Sequence, residues 1–241
     1  MKKIFDGFAL AVSMLSILPF FKVHHFYKGI NGYSVMFYPL VGLMLGMILY
    51  LSYTFLGTVM PEEHTRVLVF SLWVIVTGAL HLDGLSDTID GLFVPKEKAL
   101  QVMKDSHVGG MGMVFTSVFL LVKLSSLLAI SHLFLIIPIM MLSRFGAVFI
   151  IYNYPYVHKN GMGALAKEEL TLTHYILTVL YVSVITFYLH VGLLFFVTLC
   201  GAYCLSRCFL QRYGGLSGDM YGFSIEILEL LLLNCVVIGM L

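Results

Sequence analysis

Residues 112–152 read GMVFTSVFLLVKLSSLLAISHLFLIIPIMMLSRFGAVFIIY. The run is apolar almost throughout. A membrane helix needs roughly 20 residues to cross the hydrocarbon layer, so this stretch is too long for one crossing. Ser131 and His132 interrupt it, and it divides there into two spans joined by a tight turn. Lipid offers no partner to unpaired backbone groups, so each span must be a helix. Worked outward, the same reading finds apolar runs of spanning length at about 33–59, 66–82, 112–131, 133–152, 173–190, 192–210 and 222–241. His190, Val191 and Gly192 form a second short turn. The expected fold is all-α: a polytopic integral membrane protein with about seven transmembrane helices, in one domain over 1–241.

Composition agrees. Of 241 residues, 60% are hydrophobic and 11% charged, against about 25% charged in soluble proteins. The mean hydropathy is +0.97. A net charge of +1 gives no basic surface for nucleic acid. Lys2 and Lys3 precede an apolar run of about 15 residues that lacks a small-x-small cleavage site. It is short for a crossing and is expected to be retained as an interfacial or re-entrant helix. Cys200, Cys204 and Cys208 line one helical stripe, a spacing that cannot surround a tetrahedral zinc.

Basic residues set the orientation. Lys22, Lys28, Lys96, Lys98, Lys104, Lys159, Lys167 and Arg212 all fall in loops on one side, and the other side has only Arg66 at its margin. Basic loops stay in the cytoplasm, so the long loops are expected there, and with them the chemistry.

Within those loops, residues 81–91 read HLDGLSDTIDG. At about 100° per residue, Asp83, Asp87 and Asp90 fall within roughly 60° of one helix face, with His81 pointing elsewhere. Stacked carboxylates repel unless a cation lies between them. Oxygen ligands suit a hard ion, Mg²⁺ or Mn²⁺. The competing reading is a solvated helix end. Gly84 and Gly91 follow two of the acids and would let a bulky group approach the backbone. A second acidic group, Asp219 with Glu226, is seven residues apart on one face, and Glu229 lies further along the last span. Gly214, Gly215 and Gly218 precede it as a phosphate-cradling turn or a plain loop. Between the two groups come Lys96, Lys98, Lys104, Asp105, Ser106 and His107, then Gly109, Gly110 and Gly112. Cations and glycines beside carboxylates fit phosphate charge; positive-inside anchoring is the alternative for Lys96 and Lys98.

Two cations stand within spans. Lys123 needs a partner among the acids of 83–90 or Glu226 and Glu229, and Arg144 either does the same or snorkels to the interface. In the loop 153–172, Tyr154, Pro155 and Tyr156 offer stacking faces or an aromatic belt. His158, Lys159, Gly161 and Gly163 could hold a nucleotide or flat ring.

HLDGLSDTIDG, ALQVMKDSHVGGMG, LLVKLSSL, KNGMGALA and GGLSGDMYGFSIEILE follow one another in order. Together they resemble the cobalamin-5′-phosphate synthase family, also called adenosylcobinamide-GDP ribazoletransferases, over about residues 35–235. The resemblance implies a Mg²⁺-dependent integral membrane enzyme of a prokaryotic inner membrane. It would join adenosylcobinamide-GDP to α-ribazole or its 5′-phosphate and release GMP, completing the nucleotide loop of vitamin B12. It implies catalytic or metal roles for Asp83, Asp87, Asp90, Lys104, Asp105 and Asp219. Substrate contacts would come from Gly84, Gly91, Ser106, Gly109, Lys123, Lys159, Gly214, Gly215 and Gly218. Assembly as a homodimer is open to it. The chain departs from the family pattern between Gly91 and Ala99, where lysines replace an expected arginine, and at Phe223. Two other classes compete. CDP-alcohol phosphotransferases share Asp87-x-x-Asp90-Gly91, but Phe93-Val94 replace their Ala-Arg and Asp105 comes too early. A transporter would use Lys123, Glu226 and Glu229, but transport places acids near the midplane of several helices.

Overall fold

In the computed structural model, residues 2–19, 23, 26–105, 107 and 109–239 are described. They form twelve α-helices and no strand. These are α1 (Lys2–Leu15), α2 (Ile30–Met36), α3 (Tyr38–Leu56), α4 (Glu62–Val76), α5 (Leu80–Leu92), α6 (Lys96–Val102) and α7 (Gly110–Ala129). They continue with α8 (Ile136–Asn153), α9 (Met162–Glu169), α10 (Leu172–Tyr188), α11 (Gly192–Tyr213) and α12 (Gly218–Val237). Five helices are long and apolar enough to cross a membrane, or up to seven spans if the bent pairs α4–α5 and α9–α10 each count as one. The protein is all-α and polytopic, as its hydropathy requires.

The long apolar stretch breaks where expected. α7 ends at Ala129, a short 3₁₀ turn covers Leu133–Leu135, and α8 starts at Ile136. His190 turns the chain between α10 and α11 in the left-handed region, at φ 57°. At 14 residues, α1 rises only about 21 Å, less than a crossing needs; it packs on α2 and α3. The run 66–82 differs from the straight span the sequence suggests. Gly78 and Ala79 both take positive φ, and α5 leaves α4 at 79°. That bend turns the acidic helix against α12 and α7, its main neighbours.

α8 is the central post, with 83% of its spanning window buried against 28% for α7 and α11. It packs on α3, α11 and α12. Gly42 and Gly46, one turn apart on α3, let the backbones meet: a Cβ on Gly42 would lie 2.3 Å from the Met140 carbonyl oxygen. Small residues at this spacing draw membrane helices together through van der Waals contact. Leu121, Val122, Leu180, Val184, Phe187 and Phe196 point outward, as side chains bathed by lipid do.

In the centre of the bundle, Lys123 of α7 meets two acids of α12: Glu226 at 2.6 Å and Glu229. Its Nζ stands 4.3 Å from the Trp73 ring centre. Arg144 of α8 pairs with Glu229 and is fully buried, so it does not snorkel.

Candidate active site

The acids of α5 separate by depth along the helix. Asp83 is exposed, Asp87 half-buried and Asp90 buried. Asp90 Oδ2 accepts from the backbone N–H of Gly109 and Oδ1 from that of Gly112, both at 2.8 Å. Both oxygens thus serve the N-terminus of α7, whose first N–H groups have no partner within their own helix. A Cβ on Gly109 or Gly112 would come within 2.3 Å of an Asp90 oxygen. These glycines, expected near phosphate, let α7 dock on Asp90.

Gly84 has a similar role. A Cβ there would lie 2.8 Å from the Asp219 carbonyl oxygen, and one on Gly222 would lie 3.3 Å from the His81 Cα. The bulky group that approaches the backbone at Gly84 is therefore helix α12. At Gly91 it is the side chain of Met103. The crossing brings Asp219, the second residue of α12, beside the α5 acids. The negative charges of Asp83, Asp219 and Asp90 all act on Asp87. Among the described residues no Lys or Arg pairs with Asp83, Asp87 or Asp219.

The turn before α12 is fixed from both sides. Gly214 ends α11 in the left-handed region at φ 78°, where glycine avoids the Cβ clash. Gly215 lies against Pro155, and a Cβ would meet its carbonyl oxygen at 2.6 Å. The Leu216 N–H donates to Pro155 O and the Val157 N–H donates to Leu216 O, each at 3.0 Å. The first two glycines thus act as a plain turn that ties the loop 154–161 to the start of α12. Ser217 caps α12 through the Met220 N–H at 3.3 Å, and Gly218 opens the helix beside Tyr156.

That loop carries its aromatics to the acids. The Tyr156 ring stacks on Tyr221 at 5.8 Å. Burial and then the Asp219 charge push the Tyr156 hydroxyl above its ordinary range, against a hydrogen bond from the Gly218 N–H. His158 is held below its usual value by burial and then by Lys104, with Asp219 opposing. Its imidazole is therefore neutral at neutral pH, and Lys104, His158 and Asp219 share one electrostatic neighbourhood. Lys104 and Lys159 are exposed. Asp105 stands apart: its carboxylate is exposed and accepts from the His107 ring and backbone N–H. That bond holds its carboxyl below the usual range. Ser106 lies outside the described residues. Lys123, expected at the substrate, is instead committed to Glu226 and Glu229 inside the bundle.

A cavity of about 250 Å³ opens between α1, α3, α5, α8, α9 and α12, with Asp83 and Asp219 on its wall. His81 and Tyr221 line it too. Neither role is legible from the residues alone, since His81 stands off the acidic face and Tyr221 reads as an ordinary aromatic. Among the described residues no three Asp, Glu, His or Cys side chains converge into a ready-made metal cage. The donor chemistry nevertheless suits a hard divalent ion: Asp83 and Asp219 line the cavity, Asp87 feels the charge of both, and none of the three has a Lys or Arg partner among the described residues.

These features define a polytopic membrane enzyme built around an acidic crossing of two helices. A family model described as cobalamin-5-phosphate synthase matches residues 7–237. The chain belongs to that family. It is 37% identical to an adenosylcobinamide-GDP ribazoletransferase of Desulfitobacterium hafniense, over 82% of this chain and 83% of that protein. It is 34% identical to the protein of the same name from Acinetobacter baumannii strain ACICU, over 96% and 97%. To that of Desulforamulus reducens it is 32% identical, over 98% and 97%. No solved structure matches the chain.

Proposed function

We propose that this chain transfers the adenosylcobinamide-phosphate group of adenosylcobinamide-GDP to the hydroxyl of α-ribazole or α-ribazole 5′-phosphate, releasing GMP. The observation that supports this reading is the group of carboxylates Asp83, Asp87 and Asp219 where α5 crosses α12, with no Lys or Arg partner among the described residues and with Asp83 and Asp219 on the cavity wall. In this reading they hold Mg²⁺, with Mn²⁺ as a substitute. A divalent ion bound there would neutralise charge on the transferring phosphate oxygens.

The remaining work falls to the chain. The acceptor oxygen forms a bond to the cobinamide-bearing phosphorus while the bond to the GMP oxygen breaks. The acceptor proton passes to a carboxylate. In this reading that carboxylate is Asp219, which lines the cavity, since both Asp90 oxygens already accept backbone hydrogen bonds. Lys104, exposed beside His158, would meet the departing GMP phosphate. In this reading the face with the basic loops is the cytoplasmic one, as the positive-inside rule favours, and the membrane is that of a prokaryotic cell.

Membranes containing the protein, given adenosylcobinamide-GDP, α-ribazole and Mg²⁺, should release GMP in step with the joined product, and EDTA should stop the release until Mg²⁺ is restored. Full turnover in EDTA would remove the metal from this account. No GMP under any condition would remove the activity.

A further inference from the structure

We infer that the cavity beneath Asp83 and Asp219 seats the flat aromatic base of the acceptor nucleoside, with His81 and Tyr221 making its polar contact. This rests on the transfer reaction proposed above and assigns the cavity to one of the two substrates.

Size comes first. The cavity holds about 250 Å³, below the roughly 300–1,000 Å³ of pockets that enclose drug-sized ligands. A two-ring base fits such a slot. A corrin is far larger, and guanine, though also of two rings, carries several hydrogen-bonding groups on its edges that mostly apolar walls would leave unpaired.

The lining comes second. Away from the acids the walls are Met14, Leu15, Tyr38, Ile151 and Ala166. Such walls suit a ring system with apolar edges and few hydrogen-bonding groups. A benzimidazole nucleoside is of that kind: one ring nitrogen carries the ribose, and the other keeps a single lone pair.

The polar atoms come third. His81 is 3% exposed and neither of its ring nitrogens has a hydrogen-bond partner among the described residues. Tyr221 is 8% exposed and its hydroxyl is likewise unpartnered. A buried polar group left unpaired costs about 1–3 kcal/mol, so a cavity lined by two of them is built for a ligand that pairs them. The free ring nitrogen of the base can accept from the Tyr221 hydroxyl or a His81 N–H.

Placement along the helices gives the orientation. His81 and Asp83 are two residues apart on α5, and Tyr221 and Asp219 are two apart on α12. All four line the same cavity. Each helix thus offers one hydrogen-bonding ring and one carboxylate. A nucleoside lying across them puts its base against the first pair and its ribose hydroxyl at the second, where transfer takes place.

The test measures KM for each substrate and equilibrium binding of α-ribazole to the purified full-length protein. Ala166→Leu fills the slot from α9. It should raise KM for α-ribazole by about 10–200-fold, the effect of misfit groups in an apolar pocket, and leave KM for adenosylcobinamide-GDP unchanged. A riboside of unmethylated benzimidazole should lose less. The double variant His81→Leu, Tyr221→Phe should lose the preference for the benzimidazole riboside over an indole riboside, which lacks the free ring nitrogen. Met14→Ala, a milder change, should improve acceptance of a three-ring base. If GMP is released but Ala166→Leu leaves the α-ribazole KM unchanged or raises only the donor KM, the base site is wrong and the activity stands. If no GMP is released but α-ribazole binds and Ala166→Leu weakens it, the base site stands and the proposed activity falls. Absence of both binding and release overturns both.

Discussion

At Asp83 and Asp219 the carboxylates reach the cavity without a Lys or Arg partner among the described residues, while at Asp90 both oxygens accept backbone N–H groups. The sequence places Asp83, Asp87 and Asp90 on one face and gives them one role; burial and hydrogen bonding divide them. Two outcomes follow. Asp83→Ala and Asp219→Ala should lower GMP release by about 10²–10³-fold, as loss of one electrostatic contributor does, with an unchanged melting temperature in detergent. Asp90→Ala should lower the melting temperature itself, because a lost N-cap costs about 0.5–2 kcal/mol. Equal melting temperatures for the Asp90 and Asp83 variants would contradict the division. That division was not readable in HLDGLSDTIDG, because the groups that occupy Asp90 come from the backbone of Gly109 and Gly112.

Helix α7 is held by a charge at each end. Asp90 receives its first N–H groups, and Arg66 donates to the carbonyls of Leu127, Leu128 and Ile130 at 3.0, 3.1 and 2.7 Å. An anion at the N-terminus and a cation at the C-terminus both complement the helix dipole. Arg212 treats α5 in the same way, donating to Leu92 O at 3.0 Å and Val94 O at 3.2 Å. Counted only as basic residues at the edges of spans, Arg66 and Arg212 look like topology signals, and their capping roles depend on which helix end folds against them. The approach at α7 leaves no space for a methyl group. A Cβ on Gly112 would lie 2.3 Å from Asp90 Oδ2 and 2.5 Å from Ser86 Oγ. Gly112→Ala should therefore destabilise the protein by about 1–3 kcal/mol, the usual cost of overpacking, as read by thermal unfolding in micelles. Gly110→Ala meets nothing within 4 Å and should leave the melting temperature unchanged.

Across the whole bundle, Lys123, Arg144, Glu226 and Glu229 join α7, α8 and α12 through two cations and two anions that cancel. Their charges act on His81 at the cavity, so the cluster lies behind the site rather than in it. Breaking a buried pair by removing one partner costs about 3–5 kcal/mol, because the other charge stays buried and uncompensated. Lys123→Met should show a loss of that size in detergent unfolding, and Lys123→Met with Glu226→Gln should recover part of it. A double variant no more stable than the single one would show that Lys123 does not act through Glu226. Intramembrane charge demands a partner wherever it occurs, which is why Glu226 and Glu229 stand beside the acids of 83–90 as the partners expected for Lys123; the choice between the two sets comes from the packing of α7 on α12. The bend of α5 away from α4 could not be expected, since a left-handed Gly78–Ala79 link leaves no mark in hydropathy.

Sequence alone settled what depends on solvent and spacing. Apolar length forces helices in lipid, turns fall at Ser131–His132 and His190, and acids recur on one side of a helix. Tertiary structure decided what depends on neighbours distant in the chain. It determined which carboxylate gives both oxygens to backbone N–H groups, that Gly84, Gly109 and Gly112 serve helix contact while Gly214 and Gly215 make a turn, and that His81 and Tyr221 line a cavity. The reason is physical: periodicity fixes the direction a side chain takes from its own helix, but hydrogen bonding and burial are set by whatever packs against it.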